Sequence, residues 1–149
     1  MSIELYRSSI LHFPNETQSP DTDYVFYQDG LLVTRNGKIT AIGPYAELEH
    51  NYLQNNIADY RGKLLVPGLI DSHVHLPQTE MIGSYGEQLL AWLESYTFPT
   101  EAKFSDPEYA RHIANTFISQ LFSNGTTTAM VYASVHRASA EALFEAAAE

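Results

Sequence analysis

One stretch of the chain constrains its fold more than any other: Leu64 to Gln78, which reads Leu-Leu-Val-Pro-Gly-Leu-Ile-Asp-Ser-His-Val-His-Leu-Pro-Gln. It is an apolar run, interrupted by Pro67-Gly68, that ends in two histidines one residue apart. Successive side chains of a β-strand point to opposite faces, so a strand here places His73 and His75 on one face. Two neutral imidazoles side by side can bind one metal ion. The alternative is a pair of structural histidines hydrogen-bonded to nearby backbone.

The same alternation assigns the neighbouring side chains to the two faces of the strand. Asp71 falls on the histidine face, where a carboxylate can orient a metal ligand or cap a turn. Val74 and Leu76 fall on the opposite face. Three glutamates have the chemistry for proton transfer, although no pattern in the sequence places them beside the histidines: Glu80, Glu87 and Glu94.

Three further residues are candidates for a site near this strand. Gln78 follows it closely, and a side-chain amide both donates and accepts, which suits a substrate with adjacent ring nitrogen and carbonyl groups. Trp92 is either a core residue or part of a substrate pocket. His136 follows a predicted strand at 126–133, and parallel barrels build their sites at the carboxyl ends of strands. The alternative for Gln78 and for His136 is a loop residue without a role.

Composition excludes several classes of function. Eighteen acidic and eight basic residues among 149 give a net charge of −10, which lacks the basic footprint of a nucleic-acid binder and disfavours an anionic membrane surface. The chain has no cysteine, so a metal site must use histidine and carboxylate. Neither a secretory signal nor an apolar run of membrane-spanning length is present in the sequence. We therefore expect a soluble cytoplasmic protein.

Residues 1 to 65 predict a β-rich segment with short connections. Strands are predicted at 3–13, 24–28, 31–35, 38–42, 57–60 and 64–66, a loop at 15–23 and a helical turn or two at 45–53. Asp29-Gly30 is typical of a turn, and Asn36-Gly37 is the strongest short hairpin signal available.

Beyond Gln78 the pattern changes to strand, helix, strand and helix, the repeat of a parallel α/β fold. A short helix at 87–96 is predicted to break at Phe98-Pro99. The next helix opens at Ser105 to Glu108, which fits a capping box, and stops at Asn124-Gly125. A buried strand follows at 126–133, and Ser139 opens a last helix.

That last helix is still running at Glu149, and two βα units cannot close a barrel, which takes about 250 residues. We therefore expect this chain to be a fragment of a longer protein.

The motifs resemble a known family. The β-rich start followed by Val66-Pro67-Gly68-Leu69-Ile70-Asp71-Ser72-His73-Val74-His75 is similar to the entry into the barrel of the amidohydrolase superfamily. Four further motifs of the chain resemble the guanine deaminase family within that superfamily. They are His75-Leu76-Pro77-Gln78, Leu89-Leu90-Ala91-Trp92-Leu93-Glu94, Thr97-Phe98-Pro99-Thr100-Glu101 and Asn124-Gly125-Thr126-Thr127-Thr128-Ala129. The resemblance implies part of a small β-sandwich domain at 1–65. It also implies the start of a metal-dependent (β/α)8 TIM-type barrel at 66–149.

The resemblance also implies a function, the zinc-dependent hydrolytic deamination of guanine to xanthine and ammonia in purine catabolism. His73 and His75 match the first two ligands of the one zinc ion in each full-length subunit. Gln78 matches a position that hydrogen-bonds the purine, and Trp92 falls where the family lines its pocket. The full-length protein is expected to be a homodimer.

The family's remaining ligands, its proton-shuttle glutamate and its purine-binding arginine have no counterpart in this sequence. We therefore expect the 149-residue chain alone to bind zinc weakly and to be inactive. Two alternatives stay open: another amidohydrolase, such as a cytosine deaminase or a chlorohydrolase-like enzyme, and a non-catalytic scaffold. His73 and His75 count against the scaffold, because a chain without chemistry has no physical need for the pair.

Overall fold

The structure is a computed structural model that describes residues 2–14, 24–86 and 88–148. The predicted loop at 15–23 lies outside the described residues. The chain divides into two compact units, Met1–Pro67 and Gly68–Glu149.

The first unit is a four-stranded sheet in the order β3-β2-β1-β4. Its elements are β1 (Ile3–His12), β2 (Val25–Arg35), β3 (Lys38–Pro44), helix α1 (Tyr45–Leu48) with a 3-10 turn at Glu49–Asn51, and β4 (Ile57–Leu65). Strand β1 pairs antiparallel with β2 and parallel with β4, and β2 and β3 form the predicted hairpin. Asn36 and Gly37 turn that hairpin with φ of 52° and 75°, the left-handed conformation that this dipeptide tolerates.

The turn predicted at Asp29-Gly30 is wrong, because both residues lie inside the continuous strand β2. The guanidinium of Arg7 on β1 donates two hydrogen bonds to the Asp29 carboxylate, at 2.8 Å and 2.6 Å. A Cβ at Gly30 would lie 2.7 Å from the Ile10 side chain, so the glycine allows close packing between strands. The two residues typical of a turn therefore serve cross-strand contacts.

Strand β4 is likewise one strand where the sequence predicts two. It pairs with β1 at Asp59 and again at Leu64, and the register shifts between these points. Gly62 adopts φ of 84° within the shift, which lets the chain bulge and return to the same partner.

The second unit contains two parallel strands, β5 (Leu69–His75) and β6 (Thr126–Tyr132), with helix α4 (Pro107–Ser123) in the connection between them. Its other elements are a 3-10 segment at Leu76–Met81, α2 (Leu89–Trp92), a π-helical turn at Leu93–Thr97, α3 (Phe98–Ala102), a 3-10 turn at Lys103–Ser105 and α5 (Arg137–Ala148). The core is formed mainly by the helices and the start of the 3-10 segment, through Leu76, Phe104, Ala110, Ile113, Ala114, Phe117, Ala142 and Ala146.

Helix α4 begins and ends where the sequence predicts. The Asp106 carboxylate accepts a hydrogen bond from the Glu108 backbone N–H at 2.9 Å, so Asp106 is the cap. Ser105 instead donates its hydroxyl to the Ala102 carbonyl at 2.8 Å, and the reciprocal box predicted from Ser105 is wrong. Asn124 and Gly125, the latter with φ of 82°, end the helix.

The helix break predicted at Phe98-Pro99 is also wrong. The chain stays helical from α2 into α3 through the π-helical turn, where the Phe98 backbone N–H donates to the Leu93 carbonyl. Pro99 then lies in the first turn of α3, where a missing backbone donor costs little. Across residues 2–14, 24–86 and 88–148, no helix combines the length and apolar character needed to span a bilayer.

Strand β6 is less buried than its β-branched sequence predicts. Met130 is 62% exposed and Tyr132 is 46% exposed. The reason is pairing: within the described residues, β5 is the strand's one partner, and no second layer covers the face that carries these two side chains.

Gly68, just before β5, generates a stability prediction. A Cβ there would lie closer than 3.0 Å to three side-chain atoms of Thr127, whose β-branched side chain has little freedom to move. We expect Gly68→Ala to lower the free energy of unfolding of the second unit by about 1–3 kcal/mol. Urea denaturation followed by the fluorescence of Trp92, the one tryptophan in the sequence, measures this.

The matched control is Gly86→Ala, because a Cβ at Gly86 meets no atom within 4 Å. That control should stay within about 0.5 kcal/mol of the wild-type chain. Equal stability of the two variants would contradict the close contact at Gly68.

Candidate functional site

The site begins at the carboxyl end of β5, where the predicted pair of histidines is formed. The His73 and His75 Nε2 atoms lie 3.0 Å apart, and the ring centroids are separated by 5.0 Å. Between them, Val74 points to the other face and packs against the helical core, next to the buried Leu76. The alternation predicted from the sequence is therefore confirmed at the carboxyl end of β5, where Val74 lies toward the helices and both histidines lie opposite. Nearer the start of the strand, Ile70 is 75% exposed.

The donor set of this pair fits a divalent metal ion. Zinc binds imidazole nitrogen at about 2 Å, so two such nitrogens on one ion lie about 3 Å apart. Without metal, the same geometry allows one imidazole to donate to the other if their tautomers differ. Among the described residues, no group of three or more histidine, cysteine, aspartate or glutamate side chains comes together to hold an ion. The described residues therefore bring together two candidate metal ligands.

Asp71 supports the backbone of this strand end. Its carboxylate oxygen Oδ1 accepts a hydrogen bond from the His73 backbone N–H at 3.0 Å. The sequence left two roles open for Asp71, which were to orient a metal-binding imidazole or to cap a turn of the backbone. The structure shows the contact with the backbone.

Gln78 and Trp92 line one cavity together with both histidines. Its volume is about 440 Å³. Gln78 lies on the 3-10 segment directly after β5, which is anchored by the buried Leu76 and Pro77. Trp92 is the last residue of α2. The four site residues predicted from the sequence are thus brought to the same cavity.

Three consecutive residues of β5 line this cavity, namely His73, Val74 and His75. Because they alternate between the faces of the strand, the lining includes residues of both faces. The remaining wall comes from the 3-10 segment, from α4 and from the residue that follows each of them. These residues are Thr79, Met81, Ile82, Phe117, Gln120, Leu121 and Asn124.

Other candidate residues lie outside the lining of this cavity. His136 and Glu94 are absent from it, and Glu87 falls outside the described residues. Glu80 is also absent from the lining. Its carboxylate accepts hydrogen bonds from the Tyr109 hydroxyl at 2.6 Å and from the Lys103 ammonium at 3.0 Å. These two donors lower the pKa of Glu80, the Tyr109 hydrogen bond most.

Sequence reasoning missed Tyr132, whose ring contacts both histidines. It is the last residue of β6 and pairs in register with His75. Its ring centroid lies 4.7 Å from that of His73 and 4.9 Å from that of His75. The sequence does place Tyr132 one residue before the end of the strand predicted at 126–133. The pairing register that sets it opposite His75 is not visible in the sequence.

Comparisons with known proteins agree with this arrangement. A family model described as the amidohydrolase family matches residues 64–149. The chain is 52% identical over 123 residues to the guanine deaminase of Escherichia coli (strain K12), covering 82% of this chain and 28% of that protein. The solved structure of E. coli guanine deaminase has a TM-score of 0.89 to this chain at 45% identity, covering 97% of this chain and 34% of that one.

Two further solved structures extend the comparison. Guanine deaminase from C. acetobutylicum, solved with guanine bound in its active site, has a TM-score of 0.81 at 30% identity and covers 97% of this chain and 33% of that one. An adenosine deaminase from Xanthomonas campestris, solved with bound zinc, shares the fold at 21% identity and a TM-score of 0.64, covering 95% of this chain and 31% of that one. The predicted α/β fold class and the guanine deaminase resemblance are thereby confirmed. The chain spans about a third of the length of these relatives.

The contacts of Glu80 generate a prediction about pH and stability. Its pKa is lowered in the folded chain from the ordinary value of 4.5, so its ion pair stabilises the fold above that pH and loses its effect as the pH falls through the folded pKa. We expect Glu80→Gln to destabilise the chain at pH 7 by less than about 1 kcal/mol, because the pair is partly exposed and screened. The difference from wild type should shrink steadily below about pH 4.5.

Urea denaturation at a series of pH values measures this difference. Glu94→Gln is the matched control, since Glu94 is exposed and forms no hydrogen bond within the described residues, and the variant should stay within about 0.5 kcal/mol of the wild-type chain at pH 7. A Glu80→Gln difference that stays constant from pH 7 to pH 3 would contradict the assigned contacts.

Proposed function

Because the chain belongs to the amidohydrolase family, we propose that it forms the first part of a guanine deaminase, a hydrolase that converts guanine to xanthine and ammonia in purine catabolism. One observation carries the proposal: His73, His75, Gln78 and Trp92 line a single cavity. The similarity to guanine deaminases over 97% of this chain, one of them solved with bound guanine, supports this substrate.

We propose zinc as the metal, with His73 and His75 as two of its ligands. The 3.0 Å separation of their Nε2 atoms supports this assignment, as does the bound zinc of the X. campestris adenosine deaminase, which shares the fold. When bound, a zinc ion supplies Lewis-acid activation of water at neutral pH. The further ligands are proposed to come from the part of the protein that this chain does not span.

Gln78 and Trp92 are proposed to bind the purine. The Gln78 amide can accept from a ring N–H and donate to a neighbouring ring nitrogen or carbonyl at the same time, which matches the edge of guanine. The Trp92 indole offers a flat apolar wall, suited to a planar heterocycle. Orientation of the ring by these two side chains would present its amine-bearing carbon to the histidine face of β5.

The proton relay is proposed to come from outside this chain. Deamination needs a group that carries a proton from water to the leaving ammonia. Glu80 is the nearest glutamate to β5 in sequence, but Tyr109 and Lys103 hold its carboxylate away from the lining of the cavity.

The proposal extends to the larger protein. Residues 1–65 are proposed to form part of a small β-sandwich domain and residues 66–149 the first βα units of a (β/α)8 barrel. A cytoplasmic homodimer is the proposed form of the full-length enzyme. These assignments follow the family resemblance and the length of its solved members, about three times that of this chain.

A hybrid enzyme tests the proposed function. Residues 1–149 would replace the matching third of E. coli guanine deaminase, whose structure aligns with 97% of this chain. We expect the purified hybrid to bind zinc and to release xanthine from guanine. His73→Ala should lower kcat/KM at least about 100-fold, since loss of a group that merely supports a metal ligand already costs 10–100-fold. Turnover is followed for guanine, adenosine and cytosine in parallel.

Gln78→Ala in the same hybrid tests purine binding. Loss of its two hydrogen bonds should lower kcat/KM for guanine roughly 30-fold, because each net hydrogen bond contributes about 1 kcal/mol. Gln88→Ala is the matched control, an exposed glutamine absent from the lining of the cavity, and should leave kcat/KM unchanged. If the folded, zinc-loaded hybrid prefers adenosine or cytosine, the proposal that guanine is the substrate is wrong. If Gln78→Ala and Gln88→Ala have equal effects, the proposed role of Gln78 is wrong.

The isolated 149-residue chain provides a complementary test. With two histidine ligands in its described cavity, it should show no zinc-dependent release of xanthine, because a hydrolytic zinc site takes three protein ligands and a water. Turnover that depends on added zinc and disappears in His73→Ala would contradict the proposed need for further ligands.

A further inference from the structure

The aromatic ring of Tyr132 is in contact with both histidines of the candidate metal pair. It stacks on His75 with an interplanar angle of 15° and lies against His73 at 40°. The contact follows from the sheet, because the parallel register of β5 and β6 sets Tyr132 beside His75, and His73 lies two residues earlier on the same face. One phenol ring therefore contacts two imidazoles from the neighbouring strand.

This contact matters because little else in the described structure restrains the two rings. His73 is exposed and His75 is half-buried. Asp71 accepts a hydrogen bond from the backbone N–H of His73 and not from its ring. The χ2 torsion of histidine is broad, so an imidazole on an open sheet face samples many orientations unless a neighbour packs against it. Tyr132 is that neighbour for both rings.

We propose that Tyr132 is a positioning residue for the histidine pair. Its ring limits the rotation of both imidazoles and so keeps their Nε2 atoms 3.0 Å apart, in the arrangement that one metal ion requires. The inference rests on the proposed function for the identity of the ligand, a divalent metal ion. It adds to that function a residue that prepares the pair before the ion binds.

The ring carries this role and the hydroxyl does not. Within the described residues, no hydrogen bond involves the Tyr132 hydroxyl, and each contact with the histidines is between rings. Phenylalanine should therefore replace Tyr132 without loss, whereas a flexible aliphatic side chain should not.

Zinc titration of the untagged 149-residue chain tests the proposal. The imidazole proton resonances of His73 and His75 are followed by NMR as zinc chloride is added, with the His73→Ala and His75→Ala variants used for assignment and for background binding. We expect Tyr132→Leu to weaken zinc binding about fivefold, because the two side chains must then be ordered by the ion itself. Tyr132→Phe should restore the wild-type affinity.

Met130→Ala is the matched control. Met130 lies on the same strand and the same sheet face as Tyr132 and is 62% exposed, so its truncation removes apolar surface without touching the ring contacts. Its zinc affinity should equal that of the wild-type chain. Equal weakening by Met130→Ala and Tyr132→Leu would show a general effect on the strand and overturn the proposal.

The outcomes separate this inference from the proposed function. No zinc-induced shift of the His73 and His75 resonances in the wild-type chain would count against both. A normal wild-type titration with unchanged affinity in Tyr132→Leu, or reduced affinity in Tyr132→Phe, would overturn the positioning role alone. If Tyr132→Leu fails to fold, Tyr132→Met replaces it in the titration, and unchanged zinc affinity in that variant overturns the proposal. Nuclear Overhauser contacts between the Tyr132 ring and the two histidine rings are also measured in the metal-free wild-type chain. The absence of these contacts overturns the proposal.

Discussion

The second unit depends on the packing of the carboxyl end of β5 against the helices, through Val74 and the adjoining Leu76. Val74 packs on the core and Leu76 is fully buried within it, in contact with the group that includes Phe104 and Ile113. Because strand side chains alternate, fixing Val74 inward forces His73 and His75 outward onto a common face. A slip of one residue in register would bury both histidines and expose the apolar side chains, which the hydrophobic effect opposes. The common face of the two histidines is thus a consequence of core packing.

The end of the strand links that packing to the cavity. The 3-10 segment starts at the buried Leu76 and Pro77, and Gln78 follows them immediately, so the anchor of the core also sets where the amide stands. The contacts from Lys103 and Tyr109 to Glu80 tie the same segment to the helical part of the unit. The 3-10 segment therefore holds Gln78, the candidate for substrate binding, between the buried Leu76 and Pro77 and the contacts of Glu80. Anchors on both sides suit a side chain that must be placed accurately.

The two-stranded sheet of the second unit leaves apolar side chains exposed. The sheet described for it has two strands, and apolar side chains such as Ile70 and Met130 stand largely in solvent on them. Parallel sheets are stable when both faces are covered. The solved relatives are about three times as long as this chain, and the further ligands and the proton relay are proposed to come from the part of the protein that this chain does not span.

Local sequence determined the features that depend on neighbours along the chain. The alternation of β5, the hairpin at Asn36-Gly37, the span of α4 and the four cavity residues all followed from periodicity, capping chemistry or family motifs. Phe98-Pro99 is typical of a helix break, and the π-helical turn that continues the helix there is a local feature that the sequence pattern did not indicate. Only the tertiary structure decided the features that depend on partners distant in sequence. Asp29-Gly30 is typical of a turn until Arg7 and Ile10 are placed beside it. Tyr132 gained its place against the histidines in the same way, because strand register arises from pairing between segments and no local pattern encodes it.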